Sequence, residues 1–160
     1  GLLIIVKSAL AYQSLKDQFK QRSIQKKYFA VLKGVPSHMA GEINMPIGRD
    51  MGIRARQSCH SIVPGSEKDA LTRYEVIDHT TNLAVVDVEL ITGRTHQIRV
   101  HFAALQCPVL GDSLYSKQVQ KSEGYYLQSY YLKFTHPRSS EVLEFQLPMS
   151  SRLNKYTQKR

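Results

Sequence analysis

The residues best suited to chemistry lie at a strand-to-helix junction, residues 92–101, which reads TGRTHQIRVH. Gly93 permits a tight turn there, and Thr95 is a suitable cap for a helix over residues 96–106. The start of a helix offers free backbone N–H groups and a positive dipole end, which favour an anion such as phosphate or carboxylate. Arg99 lies between two apolar residues in an amphipathic pattern, so we expect its side chain to be partly enclosed. An enclosed guanidinium needs a carboxylate or phosphate partner.

A second candidate lies in the segment KKYFAVLK, residues 26–33, which is typical of a strand. Neighbouring side chains of a strand point to opposite faces, so Tyr28 and Phe29 should face different ways. Two interpretations of Tyr28 stay open. It is either a core tyrosine or an aromatic platform under an unstacked base, with Lys26 and Lys27 nearby for phosphate.

Charge points to a polyanionic partner. The chain has 22 Lys and Arg against 13 Asp and Glu, a formal net charge of +9. Nucleic acid is the first partner that such a charge favours, and an anionic membrane surface is the second. The candidate contacts to a nucleic-acid backbone are Arg49, Arg54, Arg56 and Lys68, and Arg94 and His96 at the strand-to-helix junction are further candidates for nucleic-acid binding. The alternative for these residues is a solvated basic face.

Several classes of site find no support in the sequence. His96 and His101 are five positions apart, on different faces of the predicted helix, and nothing supplies a third metal ligand. Cys59 and Cys107 form no CxxC pair, so we expect reduced thiols in a cytoplasmic protein rather than a zinc site or disulfide framework. The longest apolar run, Leu2 to Val6, is too short to span a membrane. No organic cofactor motif is present either, since GxGxxG and the P-loop are missing.

The elements that must position these residues are mostly strands. Gly1 to Val6 reads as a buried strand, and Ser8 can cap a helix whose apolar stripe holds Leu10, Leu15 and Phe19. Further strands are predicted over residues 26–33, 41–47, 70–78, 83–91, 125–134 and 142–147. Residues 117–124 look mobile, and we expect the basic stretch 153–160 to fray. The pattern predicts one α+β domain with a mainly antiparallel or mixed central sheet flanked by helices.

Five segments together resemble the RluA-type RNA pseudouridine synthases over nearly the whole chain. They are KKYFAVLKG (26–34), GEINMPIGRD (41–50), KDALTRYEV (68–76), LITGRTHQIRVHFAALQCPVLGD (90–112) and LQSYYLKFTHP (127–137). The stretch 93–101 is the most specific of them. The chain departs from the family at Gln128-Ser129, where members often carry His-Ala.

The resemblance implies the pseudouridine synthase catalytic-domain fold and the family's reaction. These enzymes flip a uridine out of RNA and convert it to pseudouridine, without metal or organic cofactor, after a single aspartate attacks. Tyr28 matches the active-site tyrosine, which stacks on the uracil and is proposed to help remove the proton from carbon 5. Arg99 matches the arginine that pairs with the catalytic aspartate.

That aspartate lies in an HRLDxxTSG motif in the family, and the residues that follow the motif resemble Gly1 to Val6. We therefore expect the chain to be N-terminally truncated, so that residues 1–160 are a partial catalytic domain, inactive alone. None of the chain's aspartates has a matching context, and Asp112 resembles a structural position of the family. We expect the full-length protein to be a monomeric enzyme acting on ribosomal RNA, or next on transfer RNA. The alternatives are a non-catalytic RNA-binding protein on the same fold and a basic protein–protein or membrane-surface module.

Overall fold

The computed structural model describes residues 1–116 and 124–157 as eight strands and three helices. In chain order these are α1 Ala9–Lys20, β1 Gln25–Lys33, β2 Ala40–Asn44, β3 Gly48–Arg49, β4 Gln57–Ser58, β5 Leu71–His79, β6 Leu83–Leu90, α2 Gln97–Ala104, β7 Leu127–Thr135, β8 Val142–Gln146 and α3 Ser151–Asn154. Most of the segment expected to be mobile, residues 117–123, lies outside the described residues. No helix in the described ranges is long and apolar enough to cross a bilayer.

Six strands form one sheet in the order β2-β5-β6-β1-β7-β8, and every neighbouring pair is antiparallel. This arrangement confirms the predicted α+β class with a mainly antiparallel sheet. The predicted hairpin is β5–β6, and in β6 the alternating Val86, Val88 and Leu90 are buried as expected. Strands β3 and β4 form a separate two-stranded ribbon.

The two faces of the sheet are covered by different helices. Ala30 and Val86 point to the face on which Ile98 and Phe102 of α2 pack. The residues next to them along each strand, such as Val31, point to the other face and pack against Leu153 of α3. Strand β1 therefore lies in the middle of the protein, with one face turned to the helix that carries Arg99.

The amino-terminal segment differs from its prediction. Residues 1–7 form no strand, and Leu3 and Ile5 are 80% and 77% exposed. Only Leu2 and Ile4 are partly buried, in a small cluster with Leu15 of α1. The expected buried strand is wrong for a physical reason: within the described ranges, no strand pairs with this segment, so its backbone has no ladder of hydrogen bonds to join.

The predictions for the terminal helices were partly right. The Ser8 hydroxyl accepts a hydrogen bond from Ala11 N–H at 3.2 Å, which confirms the cap of α1. The expected stripe fails, because Leu10 and Phe19 are 63% and 48% exposed and only Leu15 is buried. At the other end, Leu153 is buried in α3, so the stretch expected to fray is anchored at its first residue, while residues 158–160 lie outside the described residues.

Candidate active site

One buried amide holds the junction at residues 92–97 in place. Gln97 is 2% exposed, and its Oε1 accepts from the Thr92 hydroxyl at 2.8 Å and from Arg94 N–H at 2.9 Å. Its Nε2 donates to the Leu71 carbonyl at 3.0 Å and to Thr72 Oγ1 at 2.9 Å. Both ends of the amide are therefore satisfied, and the turn is fastened to β5.

The helix start differs from the prediction. Helix α2 begins at Gln97 and ends at Ala104, and the residue before it is His96, not Thr95. No side chain caps this helix start, so the cap expected from Thr95 is wrong. The left-handed residue of the turn is also His96, with φ 58° and ψ 18°, while Gly93 has no positive φ. A left-handed backbone at a non-glycine residue costs about 1–2 kcal/mol, so contacts around His96 must stabilise it.

Tyr115 supplies one of those contacts. Its hydroxyl accepts a hydrogen bond from Gln57 N–H at 2.9 Å and lies 2.9 Å from His96 Nδ1. A neutral His96 ring that carries its proton on Nε2 can accept the proton of the Tyr115 hydroxyl at Nδ1. Burial, and then the charge of Arg99, lowers the pKa of His96, which favours this neutral ring.

Arg99 is clamped by an acidic residue of the same chain. Its Nε and Nη2 donate to the two oxygens of Asp112 at 2.6 Å and 2.9 Å. The Arg99 side chain is 10% exposed and the Asp112 side chain is 0% exposed. Leu114 and Tyr115 N–H also donate to Asp112 Oδ1, at 3.0 Å and 3.3 Å. Burial raises the pKa of Asp112, but Arg99 and these backbone donors outweigh it, and the net shift is downward.

Asp112 gives Arg99 a partner within this chain, and the pairing of Arg99 with the catalytic aspartate stays a prediction. The enclosed guanidinium does have a carboxylate partner, as its burial required, but that partner is Asp112, which the resemblance treated only as a structural position. The signal that could have found it is simple: Asp112 is the first acidic residue after Arg99 in the chain. Gln97 and Tyr115 were also missed, because their roles depend on contacts with residues far away in sequence.

Two aromatic rings lie against the same guanidinium. The Arg99 Cζ atom is 5.0 Å from the centre of the Tyr115 ring and 4.6 Å from that of Tyr125. Arg56, a predicted RNA contact, also lies against Tyr115, at 5.3 Å, and its Nε is 3.9 Å from an Asp50 oxygen. Arg56 is therefore part of this aromatic cluster.

Tyr28 lies on the face of the sheet that α2 covers. It is partly buried against the core that includes Ile98, whereas Phe29 points away and stacks on Tyr130 at 3.7 Å. This placement agrees with the predicted opposite orientation of the two side chains. Burial raises the pKa of Tyr28, and a hydrogen bond from Ser129 partly offsets it. The departure from the family at 128–129 thus contacts the candidate catalytic tyrosine.

Three of the predicted RNA contacts line one polar groove of about 520 Å³, between the β3–β4 ribbon and the junction. They are Arg49, Lys68 and Arg94, and Arg94 Nε also donates to the Asp69 carbonyl at 2.9 Å. The remaining candidates do not line the groove. His96 follows the lining residue Thr95 in the chain, and its ring contacts the Tyr115 hydroxyl. Lys26 Nζ lies over the Phe19 ring, Lys27 Nζ lies near Tyr131, and Arg54 is on an exposed loop.

Comparison with known proteins shows which protein family the sequence resembles. The family model described as RNA pseudouridylate synthase matches residues 1–104. The uncharacterized RNA pseudouridine synthase YlyB of Bacillus subtilis is 38% identical over 150 residues, which cover 93% of this chain and 48% of that protein. The dual-specificity RNA pseudouridine synthase RluA of Vibrio cholerae is 36% identical, over 87% of this chain and 56% of that protein.

Solved structures agree with the sequence comparison. Human RNA pseudouridylate synthase domain containing 1 superposes with a TM-score of 0.78 at 27% identity, over 93% of this chain and 64% of that one. Human RNA pseudouridylate synthase domain containing 4 shares the fold with a TM-score of 0.71 at 24% identity, over 92% of this chain and 66% of that one. The chain spans about half the length of the curated relatives that it matches. The family match and these relatives together show that the chain belongs to the RNA pseudouridylate synthase family.

Proposed function

We propose that the full-length protein is an RNA pseudouridine synthase that converts uridine to pseudouridine in structured RNA, with ribosomal RNA as the first candidate and transfer RNA as the second. The observation that carries this proposal is the clamped guanidinium of Arg99 in a member of this family. It is nearly buried, fixed in direction by Asp112, and close in sequence to the groove residue Arg94. A fixed cation of this kind is suited to hold an attacking carboxylate ionised and aimed.

Tyr28 is the proposed platform for the flipped uracil. Burial raises the pKa of Tyr28, so its phenol is uncharged at neutral pH, as that of an ordinary tyrosine is, and its ring carries no charge that would repel RNA. Flipping a base out of its stack costs a few kcal/mol, and stacking on an aromatic ring returns about 1–3 kcal/mol. Tyr28 is only partly buried, so part of its side chain is accessible to a flipped base.

The groove is the proposed contact for the RNA backbone. Arg49, Lys68 and Arg94 present three cations around one cavity that also holds the hydroxyls of Ser66 and Thr95. Phosphate oxygens accept from guanidinium, ammonium and hydroxyl groups alike, and such contacts fix register without reading sequence. We expect binding here to weaken steeply with salt.

The attacking aspartate is proposed to lie outside this chain, which would leave residues 1–160 inactive alone. Asp112 is unsuitable, since its side chain is fully buried and both oxygens are occupied by Arg99. Asp87 accepts from the Tyr130 hydroxyl, and Asp50 accepts from two backbone N–H groups of its own turn. Leu2 N–H donates to the carbonyl of Ser129 at 2.9 Å, and Ser129 is the residue opposite Tyr28 in the β1–β7 pair.

The experiment compares the full-length protein with residues 1–160 on RNA labelled with tritium at carbon 5 of uridine. We expect the full-length protein to release tritium and the isolated chain to bind RNA without releasing it. Comparable release by the isolated chain would contradict the proposed position of the nucleophile. RNA binding by the full-length protein with no release would favour the alternative, a non-catalytic RNA-binding protein on the same fold.

A further inference from the structure

We infer that Asp112 is a positioning residue of the active site: it holds Arg99 by one edge, so that the Nη1 edge faces the reacting groups. This inference rests on the proposed function, since it names what directs the arginine of that site. It concerns a carboxylate that no proposed step of the reaction consumes.

The direction of the guanidinium follows from which atoms Asp112 takes. A guanidinium has five N–H donors in one plane, and Asp112 accepts one from Nε and one from Nη2. The two donors of Nη1 make no hydrogen bond within the part of the chain that the structure describes. Because the group is planar, fixing the Nε–Nη2 edge also fixes where Nη1 points.

Asp112 is itself held firmly. Two backbone N–H groups, from Leu114 and Tyr115, donate to its Oδ1, so the loop closes around its carboxylate. The same loop is tied to strand β1, because Leu110 N–H donates to the Val31 carbonyl at 2.8 Å. Strand β1 also carries Tyr28, so one strand sets the positions of both the aromatic platform and the clamp on Arg99.

The rings of Tyr115 and Tyr125 restrict the guanidinium further. The Arg99 Cζ atom lies 5.0 Å from the centre of the Tyr115 ring and 4.6 Å from that of the Tyr125 ring, which is within the range of an attractive cation–π contact. Rotation of the guanidinium out of its plane would therefore disrupt stacking as well as the two hydrogen bonds to Asp112. The cation is restrained at its edge and at its faces.

A purely stabilising role explains the pair poorly. Removing two charges from water costs about as much as their attraction returns, so well-packed apolar residues would often stabilise such a position better. The Asp112 side chain is 0% exposed and the Arg99 side chain is 10% exposed, so this desolvation cost applies to the pair. Orientation of Arg99 is a function that an apolar pair could not supply.

The test measures kcat and KM for pseudouridine formation by the full-length protein carrying Asp112→Asn. Asparagine keeps an oxygen for the N–H groups of Leu114 and Tyr115, but it offers Arg99 only one acceptor and no charge. We expect kcat to fall roughly 10- to 100-fold, which is the loss typical when a residue that orients a functional group by hydrogen bonds is replaced. The KM and the RNA affinity should stay within about twofold of the wild-type values. Asp112→Glu keeps the charge but moves the carboxylate by one methylene, and it should lower kcat in a protein that still folds.

The matched control is Asp87→Asn. Asp87 also accepts a short hydrogen bond, from the Tyr130 hydroxyl at 2.8 Å, but it lies on β6 away from Arg99. We expect this variant to keep kcat within about twofold. The inference is overturned if Asp112→Asn and Asp112→Glu both keep the wild-type kcat, or if they lower kcat only as far as they lower the folded fraction.

A spectroscopic measurement separates this inference from the proposed function. In the RNA-free full-length protein labelled with ¹⁵N-arginine, the Arg99 Nε–H signal should be protected from exchange, with slow rotation about Nε–Cζ. Asp112→Asn should abolish both properties, whereas Asp87→Asn should preserve them. If the wild type makes no pseudouridine, the proposed function fails, and this signal still decides whether Asp112 orients Arg99. An unchanged Arg99 signal in Asp112→Asn would refute the positioning role.

Discussion

Replacing Gln97 with leucine should be among the most destabilising single changes in this fold. Leucine is close to glutamine in size, so the packing around position 97 would change little. The change removes the hydrogen bonds that Gln97 exchanges with Thr92, Arg94, Leu71 and Thr72. The turn that leads into the helix of Arg99 would lose its fastening to β5.

The magnitude follows from those four bonds. A net hydrogen bond contributes about 0.5–1.5 kcal/mol, so the loss of four gives about 2–6 kcal/mol. The lower half of this range is the better expectation, because two of the orphaned groups keep another partner. Thr92 Oγ1 still accepts from Leu71 N–H, and Thr72 Oγ1 still contacts His101 Nδ1. We therefore expect the free energy of unfolding to fall by about 2–4 kcal/mol.

The assay is urea unfolding followed by circular dichroism, with wild type and two variants compared at one pH. The control is Gln13→Leu, because Gln13 is exposed on α1 and its side-chain amide donates to its helix neighbour Asp17. That variant should stay within about 0.5 kcal/mol of the wild type. A loss below about 1 kcal/mol for Gln97→Leu would refute the claim that this amide fastens the turn.

Three further predictions follow from the site. Arg99→Lys in the full-length protein should reduce kcat about 100-fold or more, because lysine cannot form the two-pronged bond to Asp112, and the tritium-release assay measures the change. Lys68→Ala should lower RNA affinity and reduce the magnitude of the slope of log K against log salt concentration by about 0.7–0.9, the value for one lost phosphate contact. Arg138→Ala, in the exposed β7–β8 turn, should change neither quantity, and a filter-binding titration measures both. Burial lowers the pKa of His101 from its ordinary 6.5, so just below pH 6.5 the unfolded chain binds a proton that the folded chain excludes. The free energy of unfolding, measured with urea, should therefore fall as the pH drops from about 6.5. A constant free energy of unfolding down to about pH 5 would contradict this prediction.

The fold was largely predictable from the sequence because its strands carry their own signals. The alternation of Val86, Val88 and Leu90 with acidic residues predicts a half-buried strand, and the structure confirms it. The first segment misled for the opposite reason. A run of apolar residues indicates what can be buried, but Leu3 and Ile5 find no neighbouring strand to bury them within the described ranges.

The candidate site was less predictable, because its geometry depends on long-range contacts. Arg99 was singled out by its apolar neighbours, and its need for a carboxylate was correct. Asp112 is a candidate by its place as the first acidic residue after Arg99, but its contact with Arg99 depends on a loop that strand β1 holds, and the sequence does not show that contact. The helix start shows the same limit: Thr95 has the right chemistry for a cap, but Gln97 bonds the turn from inside the helix and leaves His96 as the boundary residue.

The most direct test of the central proposal is a map of pseudouridine in the RNA of cells with and without the gene. We predict that at least one uridine of a structured RNA loses its modification when the gene is deleted. The wild-type full-length protein should restore that site, and Arg99→Lys should not. Identical pseudouridine maps in the two strains would contradict the proposal that this protein is an RNA pseudouridine synthase.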